Sequence, residues 1–175
     1  MNKSLIVNFF GAPGNGKSTC AAYCYSALKK LGYNVEMVQE FTKDLFLYTG
    51  IKPPYNQAFV FGNQLWRIEQ CAEQFDIVIV DSPLLLSAVY NDRDYLSDHF
   101  MAAVIDAHNS FNNLNFLLTR SFPYREDGRY QSEEQSDQIQ QKVIEMLEAF
   151  RITYSTYSAN SYEKILNSIM NNWRY

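Results

Sequence analysis

The sequence predicts an α/β fold: one domain in which an open, five-stranded parallel sheet carries helices on both faces. Three observations predict it. Short apolar runs alternate with apolar stripes at helical spacing along the 175 residues. The run Asp76–Val80 is apolar at consecutive positions after its first residue, as a strand covered on both faces must be. A glycine-rich loop joins the first run to the first helical stretch, and sheets of this kind bind ligands beyond the carboxyl ends of their strands. One domain suits the length, since domains commonly run about 100–200 residues. No repeat, low-complexity tract or long linker divides the chain.

Ser4–Phe10 is a buried strand ended by glycine, and Lys17–Leu31 is a helix with Gly32 as its C-cap. Asn34–Val38 is the second strand. Phe41–Tyr48 reads as a brief helix stopped by Gly50 and the Pro53–Pro54 pair. From Gln57 to Phe75, Phe61, Leu65, Ile68, Ala72 and Phe75 mark one helical face, and Asp76–Val80 is the third strand. Leu96, Phe100, Val104 and Ala107 mark another helix, followed by a fourth strand, Leu114–Leu118. Ser132 with Glu133, Glu134 and Gln135 resembles a capping box; its helix buries Ile139, Val143, Leu147 and Phe150. A fifth strand spans Ile152–Tyr157, and a last helix shows Tyr162, Leu166, Ile169 and Trp173.

Gly11, Ala12, Pro13, Gly14, Asn15, Gly16, Lys17 and Ser18 fit the phosphate-binding pattern G-x-x-x-x-G-K-[ST], with Thr19 beside them. Strand before and helix after are the context this loop requires. Its glycines let backbone N–H groups turn toward phosphate oxygens, and the helix start adds its positive end. Lys17 is expected to reach the β- and γ-phosphates of ATP, and Ser18 to ligate Mg²⁺. Nucleotide binding is the expectation.

Asp81 stands at the end of the third strand, the place of a second Mg²⁺-organising group. The plainer alternative is a cap for the turn Ser82–Pro83. Glu40 ends the second strand on the same rim. It is either the acid that takes a proton from an attacking hydroxyl or a solvated charge at a helix start. Asp44, one turn on, is a weaker competitor.

Arg120, Arg125 and Arg129 fall within ten residues, in a polar stretch that also holds Gly128. Such a segment, about 120–131, suits a lid that brings arginine to transferring phosphate and excludes water. The alternative is a solvated loop pairing with Glu126, Asp127, Glu133 and Glu134. Gln64 and Arg67 on the long helix are candidate acceptor contacts. Trp66 and Tyr90 either flank a planar acceptor or pack in the core. His99 and His108 lack ligand-spaced partners and are expected to be structural.

Composition narrows the class further. Lys and Arg number 15 against 19 Asp and Glu, a net charge of −4, which excludes a generally basic nucleic-acid coat but not a local groove. Cys20, Cys24 and Cys71 show no zinc or disulfide spacing and read as free buried thiols in a reducing compartment such as cytoplasm. The N-terminal apolar run is too short for a signal peptide, and no stretch nears the roughly 18 apolar residues of a membrane span. A soluble, intracellular protein is expected.

Together these pieces resemble the small P-loop kinases of nucleosides and nucleotides, chiefly the ribosylnicotinamide-kinase and deoxynucleoside-kinase types and related phage-encoded kinases. Glu40 in Val38-Gln39-Glu40-Phe41 is similar to the catalytic base those families carry after their second strand. Asp81-Ser82-Pro83-Leu84 resembles their Asp/Glu-Arg-Ser or Asp-x-Ser-Pro stretch, with Ser82 where the deoxynucleoside kinases hold arginine. Asp127-Gly128-Arg129 resembles the lid-arginine region of the ribosylnicotinamide-kinase type. No Asp-Arg-Tyr-like thymidylate-kinase motif follows the third strand.

The resemblance implies transfer of the γ-phosphate of ATP, with Mg²⁺, to a hydroxyl of a nucleoside- or nucleotide-like acceptor. One alternative is a phage-type kinase acting in the host cytoplasm on a hydroxymethylated base, such as hydroxymethyluracil in DNA, or on a polynucleotide 5′ end. A flipped base or single-stranded end needs only a pocket and a few cations. A third reading, an ATP-hydrolysing regulator, would need partners or further modules, for which 175 residues are expected to leave little room. No Asn-Lys-x-Asp segment is present for a GTPase.

Overall fold

The computed structural model describes residues 4–91, 98–125 and 131–173. Its elements, in chain order, are β1 (Leu5–Phe10), α1 (Lys17–Lys30), β2 (Val35–Val38), α2 (Phe41–Asp44), a π-helical turn (Leu45–Thr49), α3 (Gln57–Ala72), β3 (Ile77–Val80), α4 (Leu86–Val89), α5 (Asp98–Asn109), β4 (Asn112–Thr119), α6 (Glu133–Ala149), β5 (Ser155–Ser158) and α7 (Tyr162–Asn172). All five strands are parallel, in the order β2-β3-β1-β4-β5.

β1 is central because every one of its residues is apolar or buried. Its alternate side chains face opposite layers, as strand geometry requires. Leu5, Val7 and Phe9 join Cys20, Cys24 and Leu28 of α1 and Ile165 and Ile169 of α7 in one layer. Phe10 faces the other layer, against Leu85, Leu86, Val104, Val143 and Leu147. Ile6 points the same way, into a cluster with Ile68, Val78 and Val80. The chain leaves β1 toward β2 on one side and reaches β4 on the other. This reversal sets the carboxyl ends of β1 and β3 side by side, at the crevice where such sheets bind ligands.

Several bounds differ from expectation. β4 is longer than Leu114–Leu118 because Asn113 and Asn115 at its start are polar yet satisfied: Asn8 donates to both side-chain oxygens, at 2.9 and 3.0 Å. β5 is shorter than Ile152–Tyr157. Arg151 turns the backbone at φ 54°, and Ile152 and Tyr154 pack into the layer of α6 before pairing with β4 begins. The brief helix after β2 is α2 continued by the π-helical turn, and Gly50 ends it in a left-handed conformation. The capping box at Ser132 is present: its hydroxyl accepts from Gln135 N, and Gln135 Oε1 accepts from Ser132 N.

Cys20 and Cys24 are buried in α1 and Cys71 is half-buried in α3; all three are free thiols. The neighbouring Cys20 thiol, reinforced by burial, pushes the Cys24 thiol up, so it is a packing residue, not a nucleophile. Among the described residues no helix is long and apolar enough to cross a membrane.

Candidate active site

The loop from Gly11 to Gly16 leaves β1 and turns directly into α1. Two of its glycines are required by shape. A Cβ on Gly11, at φ 145°, would meet the Leu118 carbonyl oxygen at 3.1 Å. One on Gly16, at φ 80°, would meet Ala159 at 3.0 Å and Phe122 at 3.2 Å. The Lys17 ammonium lies over the loop, donating to the Gly11 and Ala12 carbonyls at 2.8 and 3.0 Å. Asn15 is buried and fixes the loop from within, donating to Leu118 O at 3.1 Å and Gln140 Oε1 at 2.9 Å.

Across the crevice, β3 delivers Asp81. Its side chain is 2% exposed, and its Oδ1 has no hydrogen-bond partner among the described residues. Its Oδ2 accepts from the Lys43 ammonium at 3.1 Å, and the same ammonium donates to Ser18 Oγ at 2.7 Å. A hydroxyl and a buried carboxylate therefore converge on one cation, with a carboxylate oxygen left over. That donor set suits a small hard metal ion, which takes oxygen ligands.

Glu40 stands at the N-cap position of α2 without a side-chain capping bond, and the Thr42 hydroxyl donates to its Oε1. Its Oε2 lies 4.0 Å from Lys43. Glu40, Lys17, Ser18, Thr19 and Lys43 line a single cleft of about 430 Å³. The same cleft is lined by Phe46, Tyr55, Val60, Leu86 and Tyr90, and by the polar side chains of Gln57 and Ser87. Burial, reinforced by the charge of Glu40, pushes the Tyr90 phenol above its ordinary value. The phenol therefore stays protonated and can donate a hydrogen bond.

A family model described as an AAA domain matches residues 6–164. The chain belongs to the AAA domain family. No curated protein sequence matches it. Among solved structures, this AAA domain is similar to the NadR protein in complex with NAD and AMP-PNP, with a TM-score of 0.70 and 11% identity. That match covers 96% of this chain and 49% of the NadR chain, so the chain spans about half of NadR's length. Thymidylate kinase from Ehrlichia chaffeensis matches with a TM-score of 0.64 and 12% identity, over 97% of this chain and 98% of its own. The Mycobacterium tuberculosis APS kinase CysC, in complex with AMPPNP and APS, matches at 0.55 and 13%, over 97% and 96%. At these identities the likeness is one of fold.

The structure brings Gly14, Gly16, Lys17, Ser18, Thr19, Glu40 and Tyr90 of the AAA domain to one cleft, and Asp81, which does not line it, is tied to it through Lys43. It does not bring Gln64 and Arg67 there. Gln64 is buried and accepts from Phe41 N at 3.1 Å; Arg67 pairs with Asp44 at 2.6 Å and lies over the Phe41 ring. Both hold α2 against α3. Arg120 is drawn toward α6, where it pairs with Glu133 at 2.7 Å and with Asp137, and it stacks on Tyr124. Neither Arg120 nor exposed Arg125 lines the cleft, and Arg129 lies outside the described residues. Trp66 is neither core nor cleft. It is exposed, because α3 turns Val60, Gln64 and Ile68 inward and Trp66 sits on the other side.

Sequence reasoning missed Lys43, Tyr55, Phe46 and Gln57. For Lys43 one signal was present: it stands three residues after Glu40, one helical turn, and so shares its face.

Proposed function

We propose that this AAA-domain chain is an ATP-dependent phosphotransferase that moves the γ-phosphate of ATP to a hydroxyl of a nucleoside- or nucleotide-like acceptor. The observation that carries this reading is the single cleft that joins the phosphate loop, the acid Glu40 and an aromatic wall. The fold shared with thymidylate kinase and APS kinase supports it, as do the ATP analogues named with NadR and CysC.

Loop N–H groups and the start of α1 hold the phosphates, and Lys17 exchanges two loop carbonyls for phosphate oxygens. Ser18 and Asp81 would hold Mg²⁺, which when bound neutralises charge on the β- and γ-phosphates. Glu40 takes the proton of the acceptor hydroxyl. The acceptor oxygen bonds to the γ-phosphorus as the bond from that phosphorus to the bridging oxygen breaks, and ADP leaves. Phe46, Tyr55 and Tyr90 offer ring faces to a planar acceptor, and Gln57 and Ser87 offer polar contacts. The free thiols fit action in the cytoplasm.

The test is incubation with γ-labelled ATP and pooled nucleosides, nucleotides, nicotinamide riboside, and plain or hydroxymethylated DNA. Label on a small acceptor is the expected result. Free phosphate alone, or label only on DNA, would overturn this reading.

A further inference from the structure

We propose that Lys43 is a built-in occupant of the cation position of this cleft. Its ammonium holds the Ser18 hydroxyl and the Asp81 carboxylate together until a divalent ion displaces it, and it thereby sets the metal affinity of the site. The inference rests on the phosphotransfer reading of the same cleft.

Three oxygens surround the Lys43 ammonium: Ser18 Oγ at 2.7 Å, Asp81 Oδ2 at 3.1 Å and Glu40 Oε2 at 4.0 Å. The first two are the hydroxyl and carboxylate in which a phosphate-loop domain organises its metal. An ammonium and a metal ion cannot both occupy the space between them. The two partners also differ sharply in burial. The Asp81 side chain is 2% exposed, so its charge needs a counter-ion, while that of Lys43 is 46% exposed. Lysine is a point charge on a flexible four-carbon stem, able to withdraw into water without leaving a buried charge of its own. The ammonium also satisfies only one oxygen of Asp81, since Oδ1 is buried without a partner. The position is filled, but by a ligand that leaves Asp81 half-satisfied.

Lys43 is aimed at this point by the rest of α2. Phe41 is buried, edge-on to Phe59, with its N–H given to Gln64 Oε1 at 3.1 Å. Asp44 is held by Arg67 at 2.6 Å. The residues on either side of Thr42 and Lys43 are thus anchored on α3. Lys43 and Thr42 face the cleft, and Thr42 orients Glu40. Displacement of Lys43 leaves α2 in place and returns its charge to the acceptor side of the cleft.

The test uses Mn²⁺ as the probe, titrated without nucleotide and followed by loss of the free-ion electron paramagnetic signal. Lys43→Met is expected to tighten Mn²⁺ binding about tenfold or more, since water screens part of the repulsion from a half-exposed charge this close. Lys43→Arg, which keeps the charge, stays near the parent. Adding Asp81→Asn to Lys43→Met abolishes the gain. Folded Lys43→Met protein with parental or weaker Mn²⁺ affinity overturns the proposal. A second measurement needs no variant: amine acetylation of Lys43 in the parent, read by mass spectrometry, should rise severalfold on Mn²⁺ saturation. Unchanged labelling overturns the proposal equally. The two readings fail separately. Phosphotransfer with none of these Mn²⁺ effects removes only the role of Lys43. The Mn²⁺ effects with no acceptor labelled remove only the phosphotransferase.

Discussion

Gln140 Oε1 accepts from the Asn15 amide at 2.9 Å, tying the middle of α6 to the phosphate loop. The same oxygen accepts from Ala12 N at 2.8 Å, and the Gln140 amide donates to Leu118 O at 3.2 Å. One turn earlier on α6, Ser136 donates to Pro13 O at 2.7 Å. The loop is therefore held in shape from its closed side by α6, while its N–H groups on the open side remain for phosphate. Donors placed before a charge arrives need no rearrangement when it does, which is where such sites gain most of their effect.

Replacement of Gln140 by Leu is expected to lower both stability and nucleotide affinity. It strands Ala12 N–H and one N–H of Asn15, and a buried polar group without a partner costs about 1–3 kcal/mol. Urea unfolding together with titration of an ATP analogue checks this. A fall in stability with parental nucleotide affinity would mean that α6 does not set the loop's shape.

Lys17→Ala is expected to remove phosphoryl transfer by roughly three orders of magnitude, as loss of a charge that stabilises a transition state does. The fold should persist, because the ammonium holds loop carbonyls and not core packing. Circular dichroism and a transfer assay give the two readouts. Parental turnover in folded Lys17→Ala protein would refute the ATP-site assignment.

Glu40 and Asp81 should separate by kinetics. Glu40→Gln keeps the shape of the side chain and is expected to cut turnover about 10²–10⁴-fold with nucleotide affinity little changed, the mark of a lost general base. Asp81→Asn instead removes the buried partner of Lys43 and should weaken metal affinity first, raising the metal concentration that turnover requires. If Asp81→Asn shows the base signature and Glu40→Gln turns over normally, the roles are reversed.

The loop Gly11–Ser18 was legible because its chemistry is local: consecutive N–H groups, a lysine and a hydroxyl need no distant partner to be recognised. Glu40 and Asp81 were legible as strand-end acids, since a parallel sheet brings all such ends to one rim. For Gln64 and Arg67 the helix was legible but the role was not. Periodicity shows which face of α3 points inward, not that the side chains there meet Phe41 and Asp44. Arg120 leaves its strand as expected, yet the choice between cleft and α6 depended on Glu133 and Asp137, whose proximity only the folded chain creates. The bounds of β5 differ from expectation for a related reason. Ile152 and Tyr154 have strand propensity, but packing against α6 outweighs it.

His108 supplies a prediction about stability. It is buried at the end of α5, its ring edge-on to Phe10, and burial lowers its pKa from 6.5 to about 4. The unfolded chain therefore binds a proton near pH 6.5 that the folded chain does not bind until about pH 4. Above that window both states are neutral and His108 contributes nothing to the pH dependence. As pH falls through it, the unfolded state gains protons that the native state refuses, so stability falls; below about pH 4 both states are charged and the loss stops growing. A proton held by one state and not the other is worth about 1.4 kcal/mol for each pH unit crossed, so the full loss is about 3 kcal/mol. Urea unfolding across the window should show this slope in the parent and a flatter one in His108→Gln, which cannot titrate there. Equal slopes in the two proteins would mean that another group, not His108, governs acid stability in this range.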